Sequence, residues 1–132
     1  MSGAAHSVPP FEPDRVWWER LFAVIDARDA DRFVAALTPD AEFRFGNAPI
    51  VRGREAIHSA VAGFFASIAG CQHRCLHIWN GLGTTVCEGE VTYTRRDGAR
   101  VTLPFANVFE LQGDRISAYR IYIDNAPLLA PH

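Results

Sequence analysis

Apolar and polar positions change rhythm once along this chain, near Gly70. Before it the apolar residues recur at helical spacing. Asp14 is placed to cap a helix start, and Trp17, Trp18, Leu21, Phe22, Val24 and Ile25 follow it on a 3.6-residue period, with DARDAD after them. This predicts a first helix ending near Arg28. Asp29 or Asp31 can cap a short second helix through Phe33, Val34 and Leu37. The run Thr38, Pro39, Asp40 closes it, since proline biases the preceding residue away from the helix. AEFRF alternates as a short strand does, and GNAPIVRG reads as a loop. From Arg54, Ile57, Val61, Phe64 and Ile68 mark a third amphipathic helix ended by Gly70.

Beyond Gly70 the period becomes two. QHRCLHIW, TTVCEGEVTYT, RVTLPFANVFEL and RISAYRIYID read as strands separated by turns at NGLG, RRDGA and QGD. Such short turns imply an antiparallel meander. The order helix, helix, strand, helix, four strands fits an α+β cone, a curved, mostly antiparallel sheet wrapped around three N-terminal helices. Leu21 and Ile57 would cover one sheet face. Val101, Val108 and Tyr122 are assigned to the other, for which a second copy of the chain is the natural cover, so a homodimer is expected.

The 132 residues, 48% of them hydrophobic, suffice for one core and not two. Residues 1–13, small and proline-rich, read as a flexible arm, 14–128 as the domain and 129–132 as a tail. A net charge of −2, from 13 basic and 15 acidic residues without long runs, argues against nucleic acid or an anionic membrane as partner. No apolar run approaches the roughly 18 residues of a membrane span, and the start lacks a signal-peptide pattern, so a cytoplasmic location is the default. Three cysteines without Cys-x-x-Cys spacing read as reduced, packed thiols.

The element order together with DARDADRFVAALTPDAEFRF, IVRGREAI and GDRISAYRIYIDNAPL resembles the nuclear transport factor 2-like (NTF2-like) superfamily in its SnoaL-like branch, over residues 14–128. The resemblance implies a cone enclosing a pocket. It leaves the activity open among ketosteroid isomerases, polyketide cyclases, limonene epoxide hydrolases, dehydratases and pure binding modules. The ketosteroid isomerase positions fall near Leu21, Asn107 and Phe45, and only Asn107 keeps a hydrogen-bonding group. The limonene epoxide hydrolase positions fall at Glu88, Glu90, Ile121, Phe43 and Phe45, and one acid survives, Glu90. Neither pattern is complete.

The matching also implies strand facing. Leu103, Phe105, Asn107 and Phe109 look into the cone with Tyr119, Ile121 and Ile123, while Arg120, Tyr122 and Asp124 look out. Asp124 suits a turn cap. Glu90 is assigned an inward, desolvated position as general acid or base. His73 lies opposite it in one register of the NGLG hairpin; a shift by one puts Arg74 there instead. Asn107 and Tyr119 would polarise a carbonyl, and Trp17, Leu21, Phe43, Phe45, Leu103, Phe105 and Ile121 would line the pocket. Cys71, His73, Cys75 and His77 share one strand face and invite a metal, but a third and fourth ligand are not supplied by any motif, and no metal or cofactor is expected. The resulting expectation is a small hydrophobic carbonyl compound as ligand, handled by a cofactor-independent isomerase, cyclase or lyase. The alternative is a ligand-binding or dimerisation module without catalysis.

Overall fold

Asp14 accepts a hydrogen bond from the Trp17 N–H at 2.9 Å and starts α1, Arg15–Asp26, whose buried face is Trp18, Leu21, Phe22 and Ile25. Asp29 caps α2, Ala30–Ala35, through the Arg32 N–H. The structure, a computed structural model, describes residues 11–130, so most of the expected arm and the last two residues of the tail lie outside it. Pro13, at the end of that arm, is buried, and its carbonyl accepts from Asn80 Nδ2 at 2.9 Å.

β1, Leu37–Phe45, begins earlier than its alternation suggests and contains Pro39. Its pairing is irregular between Leu37 and Glu42, which is where a residue without an N–H is tolerated. Thr38, Pro39 and Asp40 therefore belong to the strand rather than to the end of α2. Within GNAPIVRG, Val51–Arg52 forms a two-residue strand, β2, on β1. α3 spans Arg54–Ser67 and buries Ile57, Val61 and Phe65.

The four period-two runs are β3 (Gly70–Gly81), β4 (Thr84–Thr94), β5 (Arg100–Gln112) and β6 (Arg115–Ile123). They form the expected antiparallel meander. β1 then adds to β6 in parallel, giving one sheet in the order β2-β1-β6-β5-β4-β3. Asp124 caps the following turn through the Ala126 N–H at 3.0 Å, and a four-residue helix, α4 (Ala126–Leu129), buries Leu128. No helix among the described residues is long and apolar enough to cross a membrane.

The helices cover the inner face of the sheet, as an α+β cone requires. Leu103, Phe105, Asn107 and Phe109 of β5 are buried there, as is Tyr119 of β6. Trp18 stacks on Phe109 at 4.5 Å, and its indole N–H is satisfied by Thr85 Oγ1, which in turn donates to Asn80 Oδ1. Val101 shares the parity of Leu103 and packs against the core, correcting its assignment to the outer face; Val108 and Tyr122 do lie outside.

Gly89 has the least room of the described glycines: a Cβ there would overlap the Arg74 carbonyl oxygen and sit 2.8 Å from the Phe105 ring. Gly63, exposed in α3, has nothing within 4 Å of such a Cβ. Gly89→Ala should therefore destabilise the domain by about 2 kcal/mol or more through forced backbone and ring displacement. Gly63→Ala should stabilise it by about 0.5–1 kcal/mol through helix propensity. Urea unfolding of both variants checks the contrast, and equal midpoints would contradict the packing described.

Candidate functional site

The inner faces of five strands meet the three helices around an apolar cavity. Phe43 and Phe45 of β1, Phe105 of β5 and Ile121 of β6 line it, and Phe33 and Phe64 close it from α2 and α3. The space open to the centre of a water molecule is about 50 Å³. Its polar groups are few: His73, Asn107, Tyr119, Tyr93 and Cys71.

His73 is held by a carboxylate that the local sequence pattern does not single out. Asp26 is the last residue of α1, and its Oδ1 lies 2.6 Å from His73 Nδ1 while Oδ2 accepts the His73 backbone N–H at 2.9 Å. A carboxylate can only accept here, so the ring carries its proton on Nδ1 and leaves Nε2 free of Asp26. The imidazole is stacked on Phe22, 4.8 Å away and 8° from parallel, with Phe105 edge-on at 5.5 Å. Two hydrogen bonds and two rings thus fix its orientation.

Cys71 lies on the same side of β3. Burial, and then the charge and hydrogen bond of Asp26, push its thiol up to about 12. Asp26, Cys71 and His73 place one oxygen, one sulfur and one nitrogen within 4.8 Å of one another. Those are donors that could hold a zinc-like ion. In this structure Asp26 is bonded to His73, and the Cys71 thiol donates to the Ile25 carbonyl at 3.5 Å.

Asn107 is 2% exposed, and its Oδ1 has no hydrogen-bond partner. Tyr119 is buried, and burial, reinforced by Tyr93, Cys87 and Asp26, raises its phenol well above the ordinary value. It is a neutral hydroxyl at any physiological pH. Tyr93 is shifted in the same direction, again chiefly by burial.

Of the residues singled out in the sequence, His73, Asn107, Tyr119, Phe43, Phe45, Phe105 and Ile121 come together at this cavity. Leu103 is buried in the core without lining it. Trp17 and Leu21 border a separate surface groove with Arg20 and Asp114 and do not line the cavity, although Leu21 is buried in the core. Glu90 is the main correction. The hairpin adopts the register that puts Arg74 opposite it, and the side chain lies on the outer face, 40% exposed, paired with Arg74 at 2.6 Å. The inner parity of β4 belongs to Thr85, Cys87, Gly89, Val91 and Tyr93, so a carboxylate at position 90 faces away from the cavity.

The sequence model of the SnoaL-like domain matches residues 18–119. No functionally curated protein matches the chain significantly in sequence. Solved structures do. An NTF2-like protein of unknown function from Burkholderia pseudomallei superposes with a TM-score of 0.76 at 18% identity, over 85% of this chain and 91% of that one. A putative polyketide cyclase from Xanthomonas campestris gives 0.76 at 17%, over 85% and 90%. An LEH-like epoxide hydrolase from M. tuberculosis gives 0.70 at 20%, over 81% and 79%. At these identities the likenesses establish an NTF2-like fold, and the match over residues 18–119 establishes the family: the chain belongs to the SnoaL-like domain family.

Proposed function

We propose that this domain is a cofactor-independent isomerase, cyclase or lyase that binds a small, largely apolar carbonyl compound in the cavity and moves a proton at His73. The observation that carries this reading is the Asp26–His73 pair bordering the same largely apolar cavity as the unpartnered amide oxygen of Asn107. With Nδ1 committed to Asp26, Nε2 takes the proton from the carbon beside the carbonyl, and the carboxylate stabilises the imidazolium that forms. The Asn107 N–H and the Tyr119 hydroxyl donate to the carbonyl oxygen as negative charge develops on it. Asn107 Oδ1 remains for a ligand hydroxyl. The cyclase and hydrolase named among the structural neighbours support this class of chemistry without choosing a substrate.

A second copy of the chain covering the outer sheet face is part of the same proposal. Trp79 and Tyr122 are 54% and 55% exposed there, and Val86, Val108, Ala106 and Pro104 continue the apolar strip between them. The Arg74–Glu90 and Arg120–Glu110 pairs flank the strip. Such a patch is of the kind that self-association removes from water. Tyr122→Glu should place a charge in that interface and give monomer by light scattering; a dimer unaffected by the change would rule the face out.

Catalysis is checked by deuterium uptake. A panel of small cyclic and aromatic ketones in D₂O, followed by proton NMR, should show faster exchange beside the carbonyl with the natural protein. His73→Gln should lose about 10²–10⁴-fold of that rate, and Asp26→Asn should lower it as well, while both still bind an apolar fluorescent probe. A ketone that displaces the probe yet exchanges no faster would leave the domain as a binding module.

The buried acids give a pH prediction. Cys71, Cys87, Tyr93 and Tyr119 all have folded values raised above the 9.0 of a free thiol or 10.0 of a free phenol. Above those values the unfolded chain releases protons that the folded chain retains, so unfolding gains and stability falls as pH rises. No lysine titrates in this range, since all the basic residues are arginine. The thermal midpoint should therefore drop from about pH 9 upward, and Tyr119→Phe should flatten the slope. An unchanged slope would mean that the Tyr119 phenol is not held protonated by the fold.

A further inference from the structure

Two thiols face each other beside the cavity wall, outside the chemistry assigned to it. Cys75 of β3 and Cys87 of β4 have their sulfurs 3.0 Å apart. Cys87 is fully buried, and Cys75 is partly exposed. In the ladder they are diagonal neighbours: Cys75 pairs with Gly89, and Cys87 with Ile78. Diagonal residues of a regular ladder stand about 7–8 Å apart. Here the register is irregular between Cys75 and His77, and Gly89 presents no side chain, so the two sulfurs converge. Arg15 holds the irregular segment by donating to the carbonyls of Cys75 and Leu76 at 2.8 and 3.2 Å. Cys71, the third cysteine, is turned instead to Asp26 and the Ile25 carbonyl.

We propose that Cys75 and Cys87 are a reversible dithiol–disulfide couple, an oxidation site built into the β3–β4 pair that takes a small-molecule disulfide as its oxidant. Cys75, the less buried of the two, gives its proton to solvent and attacks one sulfur of the reagent. The reagent's S–S bond breaks, and one small thiol leaves with a proton. Cys87 then loses its proton and attacks the Cys75 sulfur of the mixed disulfide, expelling the second small thiol. Two protein thiols are oxidised by two electrons, and one small disulfide is reduced to two thiols. A disulfide bond is about 2.05 Å long, so closure requires the sulfurs to approach by roughly 1 Å. Burial keeps Cys87 as a thiol shielded from reagent, which makes Cys75 the entry point. Cys87 is also the direct cross-strand partner of Asn107, so the couple lies one strand from the cavity amide.

Trypsin separates the possibilities, because cleavage after Arg74 and Arg95 releases residues 75–95 as one peptide carrying both cysteines, while Cys71 leaves in 55–74. The folded full-length protein is incubated with oxidised glutathione, denatured, alkylated and digested. The expected peptide 75–95 is unalkylated and lighter by two hydrogens, with two of the three thiols lost and Cys71 alkylated as before. Reduction restores both thiols. Cys87→Ser should stop at glutathione on Cys75, and Cys75→Ser should leave Cys87 alkylatable. A natural protein that keeps glutathione on Cys75 without closing, alkylates at both positions, or closes only in urea overturns the proposal. If either serine variant fails to fold, the peptide map of the natural protein decides alone.

Discussion

The arrangement depends first on how α1 grips the free edge of β3. An edge strand exposes unpaired N–H and C=O groups, and a long one invites association with other chains. Here Arg15 at the start of α1 takes the carbonyls of Cys75 and Leu76, and Asp26 at its end takes the N–H of His73. The helix therefore spans the edge and satisfies it at both of its own ends. A carboxylate in the last turn sits at the negative end of the helix dipole, an unfavourable place. The two hydrogen bonds from His73 offset that cost. The contact that protects the sheet edge is thus the same one that orients the imidazole.

Much of this was legible in the sequence, for identifiable reasons. Period-two runs bounded by glycine turns located β3 to β6, and the alternation in YRIYID correctly sent Tyr119, Ile121 and Ile123 to the cavity side. β2 and α4, with two and four residues, are too short to carry a period. The facing of β4 was available but misassigned. Cys87, Val91 and Tyr93 share one parity with Gly89, whereas Glu88 and Glu90 share the other with threonines, and alternation alone favours burying the former set. Matching to relatives' active sites pulled Glu90 inward against that pattern. Asp26 had no local signature, because its partner is 47 residues away and its own neighbourhood, DARDAD, reads as a helix end.

The outward turn of Glu90 changes the chemistry that the cone can support. A lone carboxylate in an apolar pocket acts through a desolvated, raised proton affinity. An imidazole backed by a carboxylate instead works by orientation: its tautomer and ring plane are set before any ligand arrives, and the charge formed on proton uptake meets a negative partner already in place. Phe22 and Phe105 restrict the ring further. Gly89 belongs to the same construction, since any side chain there would displace the Phe105 ring that packs against the histidine.

Asn107 completes the argument from the opposite direction. Leaving a buried amide oxygen without a partner costs about 1–3 kcal/mol, and the surrounding wall of Phe33, Phe43, Phe105 and Ile121 offers nothing to relieve it. An aliphatic residue at 107 would remove that penalty. A ligand hydroxyl or a bound water relieves it by donating to Oδ1, while an apolar ligand of the same shape does not. Under the proposed function, the orphan oxygen would favour molecules carrying a polar group at one place on an otherwise apolar frame. In the proposed function, that oxygen and the oriented imidazole of His73 would be two separate polar points on one apolar wall, which a ligand would have to meet together.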